Sequence, residues 1–305
     1  MSTSFTVVGL GEALFDVFPD QQVLGGAPLN VAVHAHQLAS ARSGRGVVVS
    51  RVGQDALGER MRQELAERGM AGDYILADPD HATGQVYVRL DEQGQPDYQI
   101  VEDVAWDWLQ WDGDLNDLAR QCNAVCFSSL SQRHGQARSV IQRFLAEAKQ
   151  AIRLFDLTLR QHYYDRGTLA TGCELATVVK LNLEELDVLC QVLGMAQASV
   201  DDRAGALLKR FDLGMVVVTR GKGGTVLYTP TTRYEGAAAS VTPSAGADSV
   251  GAGDGCAAAI LVALELRLPM QAVADLANEV GAYMASVPGA TTALPDAIVA
   301  RIKVV

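Results

Sequence analysis

The chain has 305 residues, of which 49% are hydrophobic and 20% charged, so it can form a substantial core as one large α/β domain or two smaller ones. Its net charge of −11 argues against nucleic acid as the main partner, because a phosphate backbone requires a basic footprint. The five cysteines are odd in number and widely spaced, which predicts reduced thiols in a cytoplasmic protein. The N-terminus lacks the basic region of a signal peptide, and no apolar run approaches the roughly 20 residues that span a bilayer, so we expect no membrane association.

Short β-rich segments alternate with amphipathic helical segments along most of the chain. The predicted strands are FTVVGLG, RGVVVSRVG, NAVCFSS, IRLFDL, TVVKLN and GMVVVTRG. The clearest helices are APLNVAVHAHQLA, with Pro28 near its first turn, and DALGERMRQELAERG, with Asp55 as its N-cap and Gly69 at its end. This alternation predicts parallel strands joined by crossover helices, and continuous apolar strands such as MVVVT indicate a sheet covered on both faces.

Two regions break the alternation. Residues 84–102 alternate with period two around a Gly-Gln-Pro turn, which predicts an antiparallel hairpin. Residues 13–18 follow the first strand almost directly, and we expect them to join this hairpin in a small sheet that acts as a lid. Residues 224–241 predict a second β meander.

The first glycine-rich turn, VVGLGEAL, begins like a dinucleotide-binding motif. The third glycine of that motif would fall at position 14, which is Leu14. This departure disfavours a nicotinamide-dependent dehydrogenase.

The segment GGAPLN places Gly25 and Gly26 before a helix and Asn30 in its first turn. Paired glycines let a ligand approach the backbone closely, and an amide offers a donor and an acceptor to a hydroxyl-rich ligand. Upstream, Asp16 is a candidate for binding two vicinal hydroxyls with one carboxylate. Taken singly, each of these residues is explained more simply by a tight turn with solvated polar side chains.

Two later turns fit a nucleotide site but also fit ordinary loops. KLNLEEL spaces Asn182 and Glu185 as a capping box, which explains both residues without any metal role for Glu185. VVVTRGKGG ends a strand at Thr219 and continues into a turn from Gly221 to Gly224, which either contacts nucleotide phosphate or simply reverses the chain.

The segment DSVGAGD leads into a long apolar helix. Gly251, Ala252 and Gly253 allow a sharp turn and leave the first helical N–H groups accessible to an anion such as phosphate. Asp254 either caps this helix or turns towards a neighbouring hydroxyl. In the second case it accepts a proton while the backbone holds the charge that develops on the transferred group.

Together these segments resemble the ribokinase/PfkB family of carbohydrate kinases over nearly the whole chain. GGAPLNVAV is similar to the N-terminal signature of the family and DSVGAGDGCAAA to its C-terminal one, with RVGQDALG, FDLTLR, KLNLEEL and VVVTRGKGG between them in family order. The resemblance implies one three-layer α/β/α domain over residues 1–305, with a mostly parallel central sheet and a small β lid formed by residues 13–18 and 84–102. It also implies ATP-dependent phosphorylation of a sugar hydroxyl with Mg²⁺.

The resemblance further implies roles for individual residues. The catalytic base would be Asp254, and the anion hole would comprise Gly251, Ala252 and Gly253. The sugar would contact Asp16, Gly25, Gly26, Asn30 and Arg160. ATP would contact Asn182, Thr219, Gly221, Gly224 and Asn278, the last of these beside the adenine. Glu185 would hold Mg²⁺ through water, and a monovalent cation such as K⁺ would lie among Asp248, Ser249 and Ser286.

Within the family, GEALFDVFPD, GGAP and FDLTLR most resemble fructokinases, which favours fructose phosphorylated on a hydroxymethyl hydroxyl. Two departures lie near the sugar side. The stretch between Phe18 and Gly25 is shorter than in many fructokinases, which predicts a reduced lid, and Thr158 stands where many relatives carry Asn.

Several alternatives stay open. Instead of fructose, the substrate of such a kinase would be another sugar, a keto-deoxy sugar acid or a nucleoside. A catalytically silent sugar- or nucleotide-binding regulator is a further alternative, although the intact Asp254 argues against it. The partners we expect are therefore ATP and a small carbohydrate, with a homodimer left open.

Overall fold

The computed structural model describes residues 4–90, 96–196, 198–237, 239 and 241–302. Gly94 and Gln95 of the predicted hairpin turn, and Ala238 and Ser240 of the predicted meander, lie outside these residues. Within the described ranges, no helix combines the length and the apolar character needed to cross a membrane.

The strands and helices alternate as the sequence predicts. The strands are β1 Thr6–Leu10, β2 Leu14–Val17, β3 Gln22–Gly25, β4 Arg45–Gly53, β5 Ile75–Asp78, β6 Gly84–Leu90, β7 Pro96–Ile100, β8 Ala124–Ser128, β9 Ile152–Asp156, β10 Val178–Asn182, β11 Met215–Thr219, β12 Thr225–Tyr228 and β13 Arg233–Glu235. The α-helices are α1 Ala27–Ala39, α2 Ala56–Glu67, α3 Gly113–Gln121, α4 Gly135–Glu147, α5 Arg166–Leu175, α6 Leu183–Leu193, α7 Val200–Phe211, α8 Ala252–Glu265, α9 Met270–Met284 and α10 Asp296–Arg301. Short 3₁₀ turns cover Ser40–Arg42, Ala105–Trp108, Leu130–Gln132 and Gly221–Gly223.

The larger sheet has nine strands in the order β13-β12-β11-β10-β9-β8-β1-β4-β5. The strands from β11 to β5 pair in parallel, because every connection between successive strands of this set contains an α-helix that returns the chain to the starting edge. β12 and β13 join one edge as an antiparallel pair, so the predicted meander extends the main sheet.

Helices cover both faces of the main sheet. One core is formed by side chains of α3 to α7 against one face, and a second by side chains of α1, α8, α9 and α10 against the other. The continuous burial of β8 and of the first four residues of β11 follows from this double cover. The predicted three-layer α/β/α architecture with a mostly parallel sheet is confirmed.

The smaller sheet, which we call the lid, has four strands in the order β3-β2-β6-β7. The predicted hairpin is present as β6 and β7, and β2 joins it in parallel with Leu14 opposite Gly84. The short stretch after Phe18, expected to reduce the lid, supplies the additional strand β3, which pairs antiparallel with β2. Strand β3 has only four residues, and they do not alternate between exposed and buried positions, so the sequence pattern was too weak to predict it.

Candidate active site

The residues singled out in the sequence meet at one edge of the main sheet. The parallel strands β1, β8, β9, β10 and β11 all end there, so the segments that follow them are brought together. The lid stands over this edge, because β2 leaves β1 after only a few residues. The N-terminus of α8 reaches the same place.

The start of α8 is shaped by Gly251. This residue has a φ of 77° and a ψ of −6°, a left-handed conformation that favours glycine. A Cβ at this position would also lie 2.6 Å from the carbonyl oxygen of Ala290. No side chain caps α8 among the described residues, so its positive end is available to an anion.

Asp254 lies in the first turn of α8 but does not cap this helix. Its Oδ2 accepts a hydrogen bond from Asn30 Nδ2 at 2.8 Å. Burial raises the pKa of Asp254 to about 6, and the charge of Asp156 adds to the effect. Of the two possibilities left open by the sequence, the structure shows the carboxylate turned towards α1 and away from the helix end.

Asn30 lies beside Asp254, and only the donor end of its side-chain amide is hydrogen-bonded. The residue is buried, and its Oδ1 has no hydrogen-bond partner within the described part of the chain. A buried acceptor without a donor is costly. A ligand hydroxyl beside Asn30 Oδ1 would supply that donor.

Asp16 faces the site from the lid. Burial raises its pKa to about 6, while the positive charge of Arg160 opposes that rise. Arg160 is an exposed residue whose Nη1 donates to the carbonyl of Leu159, and its charge also lowers the pKa of Asp254. The charge of Arg160 thus lowers, and that of Asp254 raises, the pKa of Asp16, so Asp16 lies near both groups.

The paired glycines serve packing within the chain. A Cβ on Gly25 would lie 2.7 Å from Asp16 Oδ2, so glycine leaves room for this carboxylate. Gly26 has a φ of 107°, and a Cβ there would lie 2.4 Å from the carbonyl oxygen of Glu12. These contacts explain both glycines, and their contact with a ligand stays a prediction.

Glu12 is a buried carboxyl that the sequence analysis did not select. Its Oε2 accepts hydrogen bonds from Ser128 Oγ at 2.9 Å and from Ser131 Oγ, while Oε1 has no partner among the described residues. Burial raises the pKa of Glu12 to about 7. Its position directly after the glycine-rich turn at Gly11, at the end of a buried strand, was the signal in the sequence that could have identified it as a site residue.

An ion pair lies beneath the start of α8. Lys180 Nζ donates to both oxygens of Asp156, at 3.0 and 2.8 Å, and both side chains are buried. Burial alone would lower the pKa of Lys180, but the charge of Asp156 outweighs it and raises that pKa. A Cβ on Gly253 would lie 3.2 Å from Lys180 Nζ, so the ammonium end of this ion pair lies where the N–H groups of α8 begin. Both residues stood inside quoted segments, FDLTLR and KLNLEEL, without an assigned role.

The capping box is confirmed at the start of α6. Asn182 Oδ1 accepts from the Glu185 N–H at 2.8 Å, and Glu185 Oε2 accepts from the Asn182 N–H at 2.9 Å. Glu185 Oε1 accepts from the Leu159 N–H at 3.2 Å. Both oxygens therefore serve the backbone, and contact with Mg²⁺ through water stays a prediction.

The other predicted nucleotide residues lie at the end of β11 and in the turn that leads to β12, with Asn278 beside this turn. Thr219 ends β11, and Gly221 and Gly224 follow with φ angles of 55° and 76°. Asn278 is buried on α9, where its Nδ2 donates to the Ala237 carbonyl and its Oδ1 would lie 3.2 Å from a Cβ on Gly224. Asn278 is therefore bonded to the segment after β13 and lies beside Gly224, and its contact with adenine stays a prediction.

The predicted monovalent-cation residues are used by neighbouring protein groups. Asp248 Oδ1 accepts from the Val250 N–H at 2.9 Å, and Ser286 Oγ donates to the Tyr283 carbonyl at 2.6 Å. The carbonyl of Ser249 accepts from the Ala252 N–H at 3.3 Å. Within the described residues no three His, Cys, Asp or Glu side chains form a group suited to a metal ion.

Comparisons with known proteins agree with this arrangement. The model of the pfkB family of carbohydrate kinases matches residues 10–297. The fructokinase of Klebsiella pneumoniae is 30% identical, with 94% of this chain and 95% of that protein aligned. The fructokinase of Vibrio cholerae O395, solved with fructose, ADP and calcium bound, is 28% identical with a TM-score of 0.80 over 98% of this chain and 99% of that one. The fructokinase of Xylella fastidiosa with bound ATP is 25% identical with a TM-score of 0.81 over 98% of both chains.

Proposed function

Because the chain belongs to the pfkB family of carbohydrate kinases, we propose that it transfers the terminal phosphoryl group of ATP to a hydroxymethyl hydroxyl of fructose. The observation that carries this proposal is the pair of Asp254 and Asn30 at the open N-terminus of α8. The names of the relatives, together with the fructose and ADP bound to the Vibrio cholerae enzyme, support the choice of substrate.

Asp254 is the base in this mechanism. It accepts the proton of the attacking hydroxyl while the new O–P bond forms and the bond from the terminal phosphorus to ADP breaks. The N–H groups at the start of α8, from Gly251 to Gly253, and the ammonium of Lys180 beneath them hold the negative charge of the group in transfer. An uncapped helix end above a buried cation is suited to this task because it needs no rearrangement during the reaction.

ATP lies along the ends of β10 and β11, with Asn182 at the phosphates and Thr219, Gly221, Gly224 and Asn278 beyond them. Glu185 would hold Mg²⁺ through water, in keeping with the preference of this ion for retaining water ligands. Its chemistry is to neutralise phosphate charge, and the protein contributes the position of Glu185. A K⁺ site at Asp248, Ser249 and Ser286 belongs to the same proposal.

The sugar lies between the lid and α8, where Asp16 and Asn30 bind its hydroxyls and Arg160 closes the exposed side. Three carboxyl groups, on Glu12, Asp16 and Asp254, surround this space. Such a charge pattern favours a neutral polyol over a keto-deoxy sugar acid, because the carboxylate of an acid would meet like charges. Residues 1–305 act as one kinase domain, and the lid covers its site. The protein acts in the cytoplasm.

A nucleoside is the second candidate substrate, and Tyr98 favours it. Asp16 pairs with Val86 and Val86 with Ile100, so these three side chains share one face of the lid, and the neighbouring pair Val88 and Tyr98 shares it too. Tyr98 is 44% exposed there. An exposed aromatic ring on the face that carries Asp16 is suited to stack against a base.

A substrate panel tests the proposal. We expect ADP release in a coupled assay to give the highest kcat/KM with fructose, measured beside other hexoses, 2-keto-3-deoxygluconate and purine and pyrimidine nucleosides. Higher kcat/KM with a nucleoside, together with its loss in Tyr98→Ala, would replace fructose by the second candidate. No phosphorylation of any of these compounds would refute the proposed function.

A further inference from the structure

Residues 157–164, which we call the strap, connect β9 to the loop before α5 and pass between the lid and the edge of the main sheet. Two of its residues, Thr158 with a φ of 36° and Gln161 with a φ of 45°, adopt left-handed conformations although neither is glycine. Such conformations persist where the surroundings hold the backbone. The contacts of the strap show what holds it.

On one side the strap is bonded to the lid. Gln161 Nε2 donates to the carbonyl oxygen of Tyr98 at 2.7 Å, and Tyr98 lies on β7, the edge strand of the lid sheet. Tyr163 Oη donates to Glu102 Oε1 at 2.8 Å, just beyond the end of β7. The Tyr163 ring also packs against the buried guanidinium of Arg133, with 5.1 Å from the Arg133 Cζ to the ring centre.

On the other side the strap is bonded to the body of the domain. Ser129 Oγ, after β8, donates to the carbonyls of Leu157 and Thr158. The Leu159 N–H donates to Glu185 Oε1 at the start of α6. Arg160 lies between these body contacts and the lid contacts of Gln161 and Tyr163.

We propose that Gln161 and Tyr163 are positioning residues, which fasten the lid to the strap and so fix Asp16 of the lid at the distance from Asp254 that the sugar requires. The proposal rests on the proposed function, since it takes Asp16 as a sugar contact. An unfastened lid would leave Asp16 mobile relative to α8. The sugar would then bind more weakly, while the nucleotide side, reached through Glu185, would be unaffected.

The double variant Gln161→Ala/Tyr163→Phe tests this proposal, because it removes both donors and keeps the aromatic ring against Arg133. The matched control is Gln99→Ala/Tyr87→Phe, the same two exchanges on the lid. Tyr87 Oη donates to Gln85 of its own strand at 3.4 Å, and within the described residues neither control side chain bonds to the strap.

In the Gln161/Tyr163 variant we expect KM for fructose to rise roughly three- to tenfold, as for the loss of one or two partly exposed hydrogen bonds. KM for ATP and kcat should stay within about twofold, and the control should match the wild type. A rise in KM for ATP as large as that for fructose, or no change in either, would overturn the proposal.

Hydrogen exchange of the free enzyme provides a readout that needs no substrate. Backbone amides of β6 and β7 should exchange faster in the Gln161/Tyr163 variant than in the control, while those of β8 and β9 should not. Unchanged exchange in the lid would refute the proposal that Gln161 and Tyr163 fasten the lid. Faster exchange in the variant, together with no sugar kinase activity in the wild type, would support the fastening and refute the proposed function.

Discussion

At the scale of single residues, the site contains three carboxyl groups with raised pKa values, on Glu12, Asp16 and Asp254. Asp254 and Asp16 both have a pKa raised to about 6 by burial, and that of Glu12 is raised to about 7. A general base is most effective when its pKa lies near the working pH. The burial that makes Asp254 unusual is therefore what fits it to accept a proton at neutral pH.

This assignment predicts a pH dependence. Asp254 must be ionised to act as a base, so kcat/KM should fall as the pH drops below about 6 and level off above it. Asp16 titrates in the same range, so the profile should be measured in the variant Asp16→Asn. In this variant the fall of kcat/KM at low pH should remain, with a slope of about one in a plot of log kcat/KM against pH. A flat profile from pH 5 to pH 8 in that variant would remove Asp254 as the titrating base.

A second prediction separates two glycines of the same turn. Gly253→Ala would place a methyl group beside Lys180 where phosphate approaches, and its φ is not positive, so turnover should fall on the order of 100-fold with little change in melting temperature. Gly251→Ala would force a left-handed alanine against the Ala290 carbonyl, so it should lose at least ~1–2 kcal/mol of stability. Turnover and thermal melting of both variants check the contrast, and equal loss of stability in the two would contradict it.

At the scale of elements, the strap is a segment whose sequence fits its backbone poorly. Thr158 is β-branched and has a φ of 36°, a conformation that Asn tolerates better. The departure from the family pattern noted in the sequence therefore falls on a strained position. Its carbonyl is held by Ser129, so the strain is retained by the surrounding structure.

Thr158→Asn should accordingly stabilise the protein by roughly 0.5–1 kcal/mol, since the left-handed penalty of about 1–2 kcal/mol is partly relieved. Urea unfolding measures this as a higher midpoint with an unchanged slope. Thr231→Asn, at an exposed position where φ is not positive, is the matched control and should have no such effect. A midpoint that does not rise in Thr158→Asn would show that the strap carries no appreciable strain.

At the scale of the whole molecule, the sequence is sufficient for the architecture because the main sheet is built from local signals. RGVVVSRVG was predicted as a strand and forms β4 from Arg45 to Gly53, and Asp55 caps α2 through the Gly58 N–H at 2.8 Å. The alternation of such segments leaves few topologies other than a covered parallel sheet. Strand β3 was missed because it owes its place to pairing with β2 more than to its own pattern.

The site is less accessible to prediction because its decisive contacts join distant parts of the chain. Asn30 and Asp254 are 224 positions apart, and Glu12 meets its serine partners 116 and 119 positions away. A buried charge such as Lys180 is unremarkable in a sequence until its partner Asp156 is seen beside it. The glycines at 25 and 26 were expected to admit a ligand, and the structure explains them first by the atoms of Asp16 and Glu12 that they accommodate.

The measurement that tests the central claim most directly compares the wild type with Asp254→Asn for the formation of fructose phosphate from fructose and ATP. We expect the variant to lose on the order of 10²–10⁴ in kcat, because it retains the helix end and loses the base. ATP affinity should be unchanged, and the melting temperature at pH 8 should not fall, since a carboxylate with a raised pKa is destabilising when ionised. Fructose phosphate formed at a near wild-type rate by a folded Asp254→Asn variant would contradict the account.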